Sequence, residues 1–412
     1  MRIAIITSHP IQYYAPLFAY IQKHSSYQIK VFYLWDFGIT AQKDHGFGHT
    51  LIWDVPLLSG YEFEFIPNIS QDPGTHHWRG LDNPQLYHQV CNFKPDAVIC
   101  MVSYNYLTSY RFLYQWKINQ KSQQIPLFFR GDSHRLYQAN LDMAKTKIKE
   151  LIKNHFKNYL ISLIFKQFNG FLYVGKANYN YFQSYGVNPQ KLFFTPHSVN
   201  NDYFISALTT MKEQAIVWRK ELGINPGHKV ILFVGKLEPK KNPLLLLEAF
   251  KLAQLQGVSL LFVGSGNLEA QLKKSVEDDA YLAQSVHFAS FQNQSQMPRS
   301  YATADLLVLP SFGHGETWGL AVNEAMCMAV PAIVSSHVGC GQDLVIYGHT
   351  GLIFKSGDVH DLADKLRQAF ADHSKLKQWG ENAANHIRNY SYANVLAGID
   401  EGMKQYMNSN IN

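Results

Sequence analysis

The chain has 412 residues, 46% hydrophobic and 17% charged, which excludes a disordered protein and predicts two domains of about 200 residues each. The formal charge of +6 is concentrated in residues 141–176, where seven lysines stand against Asp142 and Glu150; a local excess of this kind argues against a general nucleic-acid surface. Cys91, Cys100, Cys327 and Cys340 form no C-x-x-C pair and lie in apolar flanks, which points to reduced core thiols in a cytoplasmic protein and away from a disulfide framework or a metal site.

The opening "MRIAIITSHP" lacks the long apolar region and small-residue cleavage site of a signal peptide and reads as a first strand. No run of about 18 apolar residues is present, so no transmembrane helix is predicted. "YAPLFAYIQKH" follows as a helix and "QIKVFYLW" as a strand. "PDAVICMV", "PLFFR" and "GFLYVG" are further strands at helix-sized intervals. Runs that are apolar throughout fit strands buried on both faces of a parallel sheet. Residues 36–86, rich in Gly, Pro, Trp and His, break this rhythm and are expected to be long functional loops. A second series starts near residue 229. Its strands are "KVILFVGK", "SLLFVGSG", "SVHFASF", "DLLVLPS" and "PAIVSS". Its helices are "PLLLLEAFKLAQ", "NLEAQLKKSV", "GLAVNEAMCM" and the "DVHDLADKLRQAFAD" region. The βα alternation, twice over, predicts an α/β protein of two Rossmann-like doubly wound domains facing a cleft. The expected boundary falls at the turn formers of 195–204. That assigns residues 1–195 to an acceptor domain and 196–387 to a donor domain, with a final helix over 388–412 crossing back to the first.

Three loops at the carboxyl ends of the second series carry chemistry. "GKLEPKKNP" places Lys236 and Lys241 five apart in a loop that opens a helix; this suits a diphosphate, and equally a solvated lysine turn. "GSGNLEA" begins like a dinucleotide fingerprint, but Glu269 replaces the third glycine, and a tight turn explains Gly264 and Gly266 as well. "PSFGHGETWGLAVNEAM" sets Glu316 and Glu324 eight apart around a helix start near Gly319. An anion over the free amides there would have one carboxylate at each end, and carboxylates accept two hydrogen bonds from a diol. The bland alternative makes Glu324 a partner of the helix dipole and Glu316 a surface charge.

Taken in order, "GKLEPKKNPLLLLEAF", "VGSGNLEAQL", "SVHFASF" and "DLLVLPSFGHGETWGLAVNEAMCMAVPAIVSSHVGCGQDLVIYGHTGLIFKSGD" resemble the second domain of the family-4 retaining glycosyltransferases of the GT-B fold, over roughly residues 195–385. The resemblance implies a nucleotide-sugar donor, UDP-sugar above all, with no cofactor and no metal. It implies that Lys236 and Lys241, with Gly235 and Gly264 beside them, hold the diphosphate. Glu316 would contact the transferred sugar and Glu324 the ribose hydroxyls. Amides near Thr317, Trp318, Gly319 and Leu320 would complete the phosphate cradle. In the first domain the loops "TSHPIQYYAP" and "FFRGDSHR" supply His9, Gln12 and Arg130 on the diphosphate and acceptor side. Asp132 and His134 are expected to position the acceptor hydroxyl, or else to form an Asp-capped turn with a surface histidine.

The loops "DFG", "DHGFGH" and "PGTHHWRGLDNP" hold groups suited to stacking on a sugar acceptor. The adjacent histidines of "THHWR" are expected to point apart, and no D-x-D is present, so charge neutralisation by lysines and helix dipoles is expected in place of a divalent ion. The resemblance also implies same-face attack with the leaving phosphate accepting the acceptor proton, in cell-surface polysaccharide or glycoconjugate synthesis. Competing readings are a nucleotide-sugar 2-epimerase or hydrolase of the same fold, a non-catalytic sugar-nucleotide binder, and a nicotinamide dehydrogenase; the last lacks its complete fingerprint. Finally, Lys145, Lys149, Lys153 and Lys157 form a stripe on a helix expected within residues 141–168. Ile148, Leu151, Ile152, Phe156, Tyr159, Leu160 and Leu163 lie on the adjoining arc. Either that arc covers the sheet, or the helix lies at an anionic membrane surface, which would suit a lipid-linked acceptor and attachment at the inner face of the membrane.

Overall fold

The computed structural model describes residues 1–40, 42–43, 50–119, 122, 124–137 and 148–409. Its first sheet contains β1 (Arg2–Thr7) and β2 (Gln28–Tyr33). A two-stranded hairpin, β3 (Gln42–Lys43) with β4 (Thr50–Leu51), stands apart from it. The sheet continues with β5 (Glu62–Phe65), β6 (Ala97–Cys100), β7 (Leu127–Gly131), β8 (Gly170–Tyr173) and β9 (Leu192–Phe194). The order is β5-β2-β1-β6-β7-β8-β9, and all pairs are parallel. The second sheet contains β10 (Lys229–Val234), β11 (Val258–Val263), β12 (Val286–Ala289), β13 (Leu306–Leu309), β14 (Ala332–Ser335) and β15 (Gly351–Phe354) in the order β12-β11-β10-β13-β14-β15, again parallel. Each central strand has neighbours reached in opposite directions, so each sheet has a switch point beside β1 and β10, where ligands of open α/β sheets bind.

The strands read as apolar runs because both faces are covered. Ile231 and Phe233 of β10 join one buried cluster, Val230 and Leu232 the other. The segment 36–86 departs from the expected loops at β5. "EFEF" pairs with β2 at the sheet edge, where its glutamates stay outside and both Glu62 and Glu64 meet Lys30, at 3.1 and 2.9 Å. Charges on an edge strand conceal its apolar face and discourage further pairing.

The last helix, Tyr392–Ser409, lies on the first sheet: Tyr392, Val395, Leu396, Ile399 and Met403 share a cluster with Ile3, Ile5, Phe128 and Phe193. Gly398 makes this approach possible, since a Cβ there would stand 1.9 Å from the Phe194 carbonyl oxygen. Among the described residues no helix is long and apolar enough to cross a membrane. The lysine-rich segment forms a helix over Ile148–Phe165. Ile161 and Phe165 enter the core, whereas Phe156, Tyr159, Leu160 and Leu163 are exposed. The expectation of one covering arc is therefore corrected: burial follows Ile161 and Phe165, at i and i+4, which turns Leu160 and Leu163 to either side of the packed line. Lys145 and Lys147 lie outside the described residues, as do the side chains of Ile148, Lys149, Leu151, Ile152 and Lys153.

Candidate active site

A cavity of about 470 Å³ lies between the two sheets' carboxyl ends. The loop after β1 brings His9, Gln12 and Tyr13 to it, the loop after β10 brings Gly235, Lys236 and Lys241, and the loop after β13 brings Glu316 through Leu320. Glu324 closes one end and Asp132 borders it from the first domain.

Local backbone chemistry sets these positions. Gly235 and Gly264 both have positive φ, +147° and +143°, and a Cβ on Gly264 would stand 2.0 Å from the Gly235 carbonyl oxygen. The two loops touch through bare backbone at Gly264, where close approach requires glycine, while a Cβ on Gly235 would meet nothing within 4 Å and it is the positive φ that favours glycine there, before any ligand is considered. A 3-10 turn, Pro239–Lys241, then ends at Asn242 in the left-handed region, and helix Pro243–Ala253 starts there. That turn directs Lys241 at Glu316. Gly319, φ +107°, begins helix Leu320–Cys327, where a Cβ would strike Leu309 and Val338 at 2.9 and 3.1 Å.

The two glutamates have different surroundings. Glu316 is held by Ser311 Oγ, which donates at 2.8 Å, and by the Lys241 ammonium. Glu324 is 2% exposed. It accepts from Tyr301 Oη at 2.6 Å and Gln294 Nε2 at 3.0 Å, and burial raises its pKa to about 7. A buried carboxylate with two fixed donors is a hydrogen-bonding centre, which a mere complement to the helix dipole would not need.

The first-domain residues divide. Asp132 accepts from Thr317 Oγ1 at 2.7 Å across the cleft. His134 does not line the cavity. Its Nδ1 accepts from Leu136 N at 3.2 Å, so Nε2 carries the proton and donates to the Glu316 carbonyl at 3.0 Å. Burial lowers its pKa, which keeps the ring neutral in this tether. Arg130 is buried as well and lies off the cavity; its guanidinium donates to the Thr195 carbonyl at 2.6 Å and the Pro196 carbonyl at 3.3 Å, stapling the chain where it leaves the first domain. Trp318 lines the cavity, but its indole donates to Asn323 Oδ1 at 2.8 Å and packs by Gly175 and Tyr390. Its side chain is interdomain packing, and its carbonyl accepts from Cys340 N at 2.9 Å.

Sequence reasoning missed Tyr13, Trp53, His197, Gln294 and Tyr301. His197 stacks on Tyr14, sits 3.9 Å from Asp132, and has its pKa lowered to about 4 by burial. No local pattern marks it; only the polar "TPHS" between two apolar elements sets it apart. The loop 44–49 lies outside the described residues. The histidines of "THHWR" do converge, contrary to expectation: a turn at Gly74 brings ligand atoms of Asp72, His76 and His77 within 4.8 Å on an exposed loop. Hydrogen bonds of 3.0 Å from His76 to the Asp72 carboxylate and from His77 to the Asp72 carbonyl account for that geometry.

Comparison with known proteins places this arrangement. Residues 215–386 match the family described as glycosyl transferases group 1. D-inositol 3-phosphate glycosyltransferase of Nocardia farcinica is 29% identical over 193 residues, 44% of this chain and 42% of that protein. The Corynebacterium glutamicum protein of the same name is 30% identical over 188 residues, 44% of each chain. The chain thus spans about half the length of the curated relatives it matches, 42% and 44% of these two and 52% of a third. Among solved structures, Anabaena HepE in complex with UDP superposes with a TM-score of 0.70 at 16% identity, covering 98% of this chain and 100% of that one. Sucrose-phosphate synthase of Thermosynechococcus elongatus gives 0.68 at 17%, covering 99% and 100%. Residues 215–386 belong to the glycosyl transferases group 1 family, and they sit within a two-domain scaffold of the GT-B type.

Proposed function

We propose that the chain is a retaining glycosyltransferase that moves a sugar from a UDP-sugar donor to a hydroxyl of a glycan or lipid-linked acceptor, in cell-surface polysaccharide or glycoconjugate synthesis. The observation that carries this reading is the placement of Glu316 and Glu324 in one cavity, around the start of helix Leu320–Cys327, with Lys236 and Lys241 lining the same space. Sugar, diphosphate and ribose fit that sequence of groups. Lys236, Lys241 and the helix amides neutralise the departing diphosphate without a divalent ion. Asp132 orients the acceptor hydroxyl from the first domain, and His9 and Gln12 border the same space. The fold likeness to a protein crystallised with UDP agrees with a nucleotide donor.

Membrane attachment belongs to the same reading. Phe156, Tyr159, Leu160 and Leu163 stand exposed beside Lys157, on a segment whose sequence is rich in lysine. Apolar groups inserted between cationic ones suit the inner face of an anionic membrane, where a lipid-linked acceptor would be met. The test of function is incubation with a panel of UDP-sugars and candidate acceptors, with transferred product, free sugar and epimer assayed together. Transfer supports the proposal; epimer or free sugar as the sole product overturns it.

A further inference from the structure

The segment Ile52–Asp54 of the first domain grips the turn Asn293–Ser295 of the second. Asn293 Nδ2 donates to the Ile52 carbonyl at 2.8 Å, and Asp54 N donates to Asn293 Oδ1 at 3.4 Å. Ser295 N donates to one Asp54 carboxylate oxygen at 3.1 Å, and Ser295 Oγ donates to the other. Between these bonds the Trp53 ring meets Phe291, with centroids 6.4 Å apart, and both rings line the cavity. Trp53 is braced from its own side: its amide donates to the Gly38 carbonyl at 3.4 Å, and a Cβ on Gly38 would come within 3.1 Å of the indole.

The gripped turn has a second partner. Asn293 Oδ1 accepts from Gln294 N at 2.8 Å and so starts the 3-10 turn Gln294–Gln296. Gln294 then donates its side-chain amide to Glu324 at 3.0 Å. An unbroken series of contacts therefore runs from Asp54, through Ser295 and Asn293, to the buried carboxylate.

We propose that Asp54 is a positioning residue for the nucleotide. By holding the turn it aims Gln294 at Glu324, while Trp53 and Phe291 wall the cavity beyond that carboxylate, where the ribose and base of a nucleoside diphosphate fit. This rests on the nucleotide-sugar reading above. Neither domain then forms the nucleotide end of the site alone, and release of the spent nucleoside diphosphate requires the grip to open.

The test uses UDP as probe, with Asp54→Ala, Ser295→Ala, the double variant and Asp54→Asn in the full chain. Asp54 is exposed, so the expected loss of UDP affinity is moderate, about five- to tenfold for either alanine variant. The double variant is expected to be no worse than about twofold beyond Asp54→Ala, because the Ser295 hydroxyl bond is one of those that Asp54→Ala already removes. Asp54→Asn keeps an acceptor oxygen and restores most of the affinity. Donor KM rises with the alanine variants while kcat stays within about twofold. Unchanged UDP affinity in Asp54→Ala, or fully additive losses, overturns the positioning role. Failure of the wild-type protein to bind UDP or any other nucleoside diphosphate overturns the nucleotide reading itself. Hydrogen exchange in the ligand-free protein separates the two: Asp54→Ala must speed exchange of the amides of residues 294–297, and unchanged exchange overturns the grip whatever the nucleotide result.

Discussion

Tyr301 donates its hydroxyl to Glu324 at 2.6 Å, and both side chains are buried at the wall of the cavity. This bond lowers the Glu324 pKa, burial raises it more, and the balance leaves it at about 7. The carboxylate is the form that accepts from a ribose diol, so UDP affinity should rise as pH increases through 7, by about three- to tenfold between pH 6 and 8. Tyr301→Phe removes a bond to the charged form and should move the midpoint to higher pH. Glu324→Gln should abolish the dependence. Titration calorimetry at a series of pH values checks all three. For stability the sign is opposite: a carboxyl whose folded pKa exceeds its unfolded value of about 4.3 favours folding below that value, and the contribution is lost as pH rises through about 7.

Glu316→Gln should cut turnover by at least about a hundredfold while UDP affinity stays within about threefold, because Glu316 acts on the sugar. Lys241→Ala should weaken UDP binding by about 1.5–3 kcal/mol, the worth of a charged hydrogen bond in a shielded place. Unchanged UDP affinity in Lys241→Ala would remove Lys241 from the diphosphate.

Activity is expected to survive EDTA. Complete loss, with rescue by Mn²⁺, would show that the lysines and helix amides do not neutralise the leaving group unaided.

Gly398→Ala should lower the stability of the first domain by about 2–3 kcal/mol, since its Cβ would meet the Phe194 carbonyl at 1.9 Å and force the last helix off the sheet. Gly227→Ala, whose Cβ meets nothing closer than 3.9 Å, is the control and should shift the melting temperature little.

Binding to anionic vesicles at low salt should fall when Phe156, Leu160 and Leu163 are changed to Ser, and also when Lys145, Lys149, Lys153 and Lys157 are changed to Gln. Co-sedimentation reads both; no change in either set removes the helix from membrane attachment.

Most of the central strands were legible because two-sided burial writes an unbroken apolar run, as in "KVILFV" and "SLLFVG". The strand at Glu62–Phe65 was not, because an edge strand shows the charges of its open side. The loop carrying Glu316 and Glu324 was legible because glycines, a helix start and two carboxylates fall within one short stretch. Tyr301 and Gln294 were illegible for the opposite reason: they reach Glu324 from helix Met297–Ala302 and the turn before it, and only the packing of those elements against helix Leu320–Cys327 makes them neighbours. His134 was legible as a residue at a strand end; its use as a backbone tether depends on the other domain, which no local pattern records.

The loop that carries Glu316 is fastened to the first domain at two points, Thr317 to Asp132 and the Glu316 carbonyl to His134. A chimaera that exchanged the second domain at the crossing near residue 196 would carry the loop into a foreign socket. Transplanting sugar preference between such proteins therefore calls for moving residues 132–134 together with residues 316–317, as one unit of inheritance that the chain divides between its two halves.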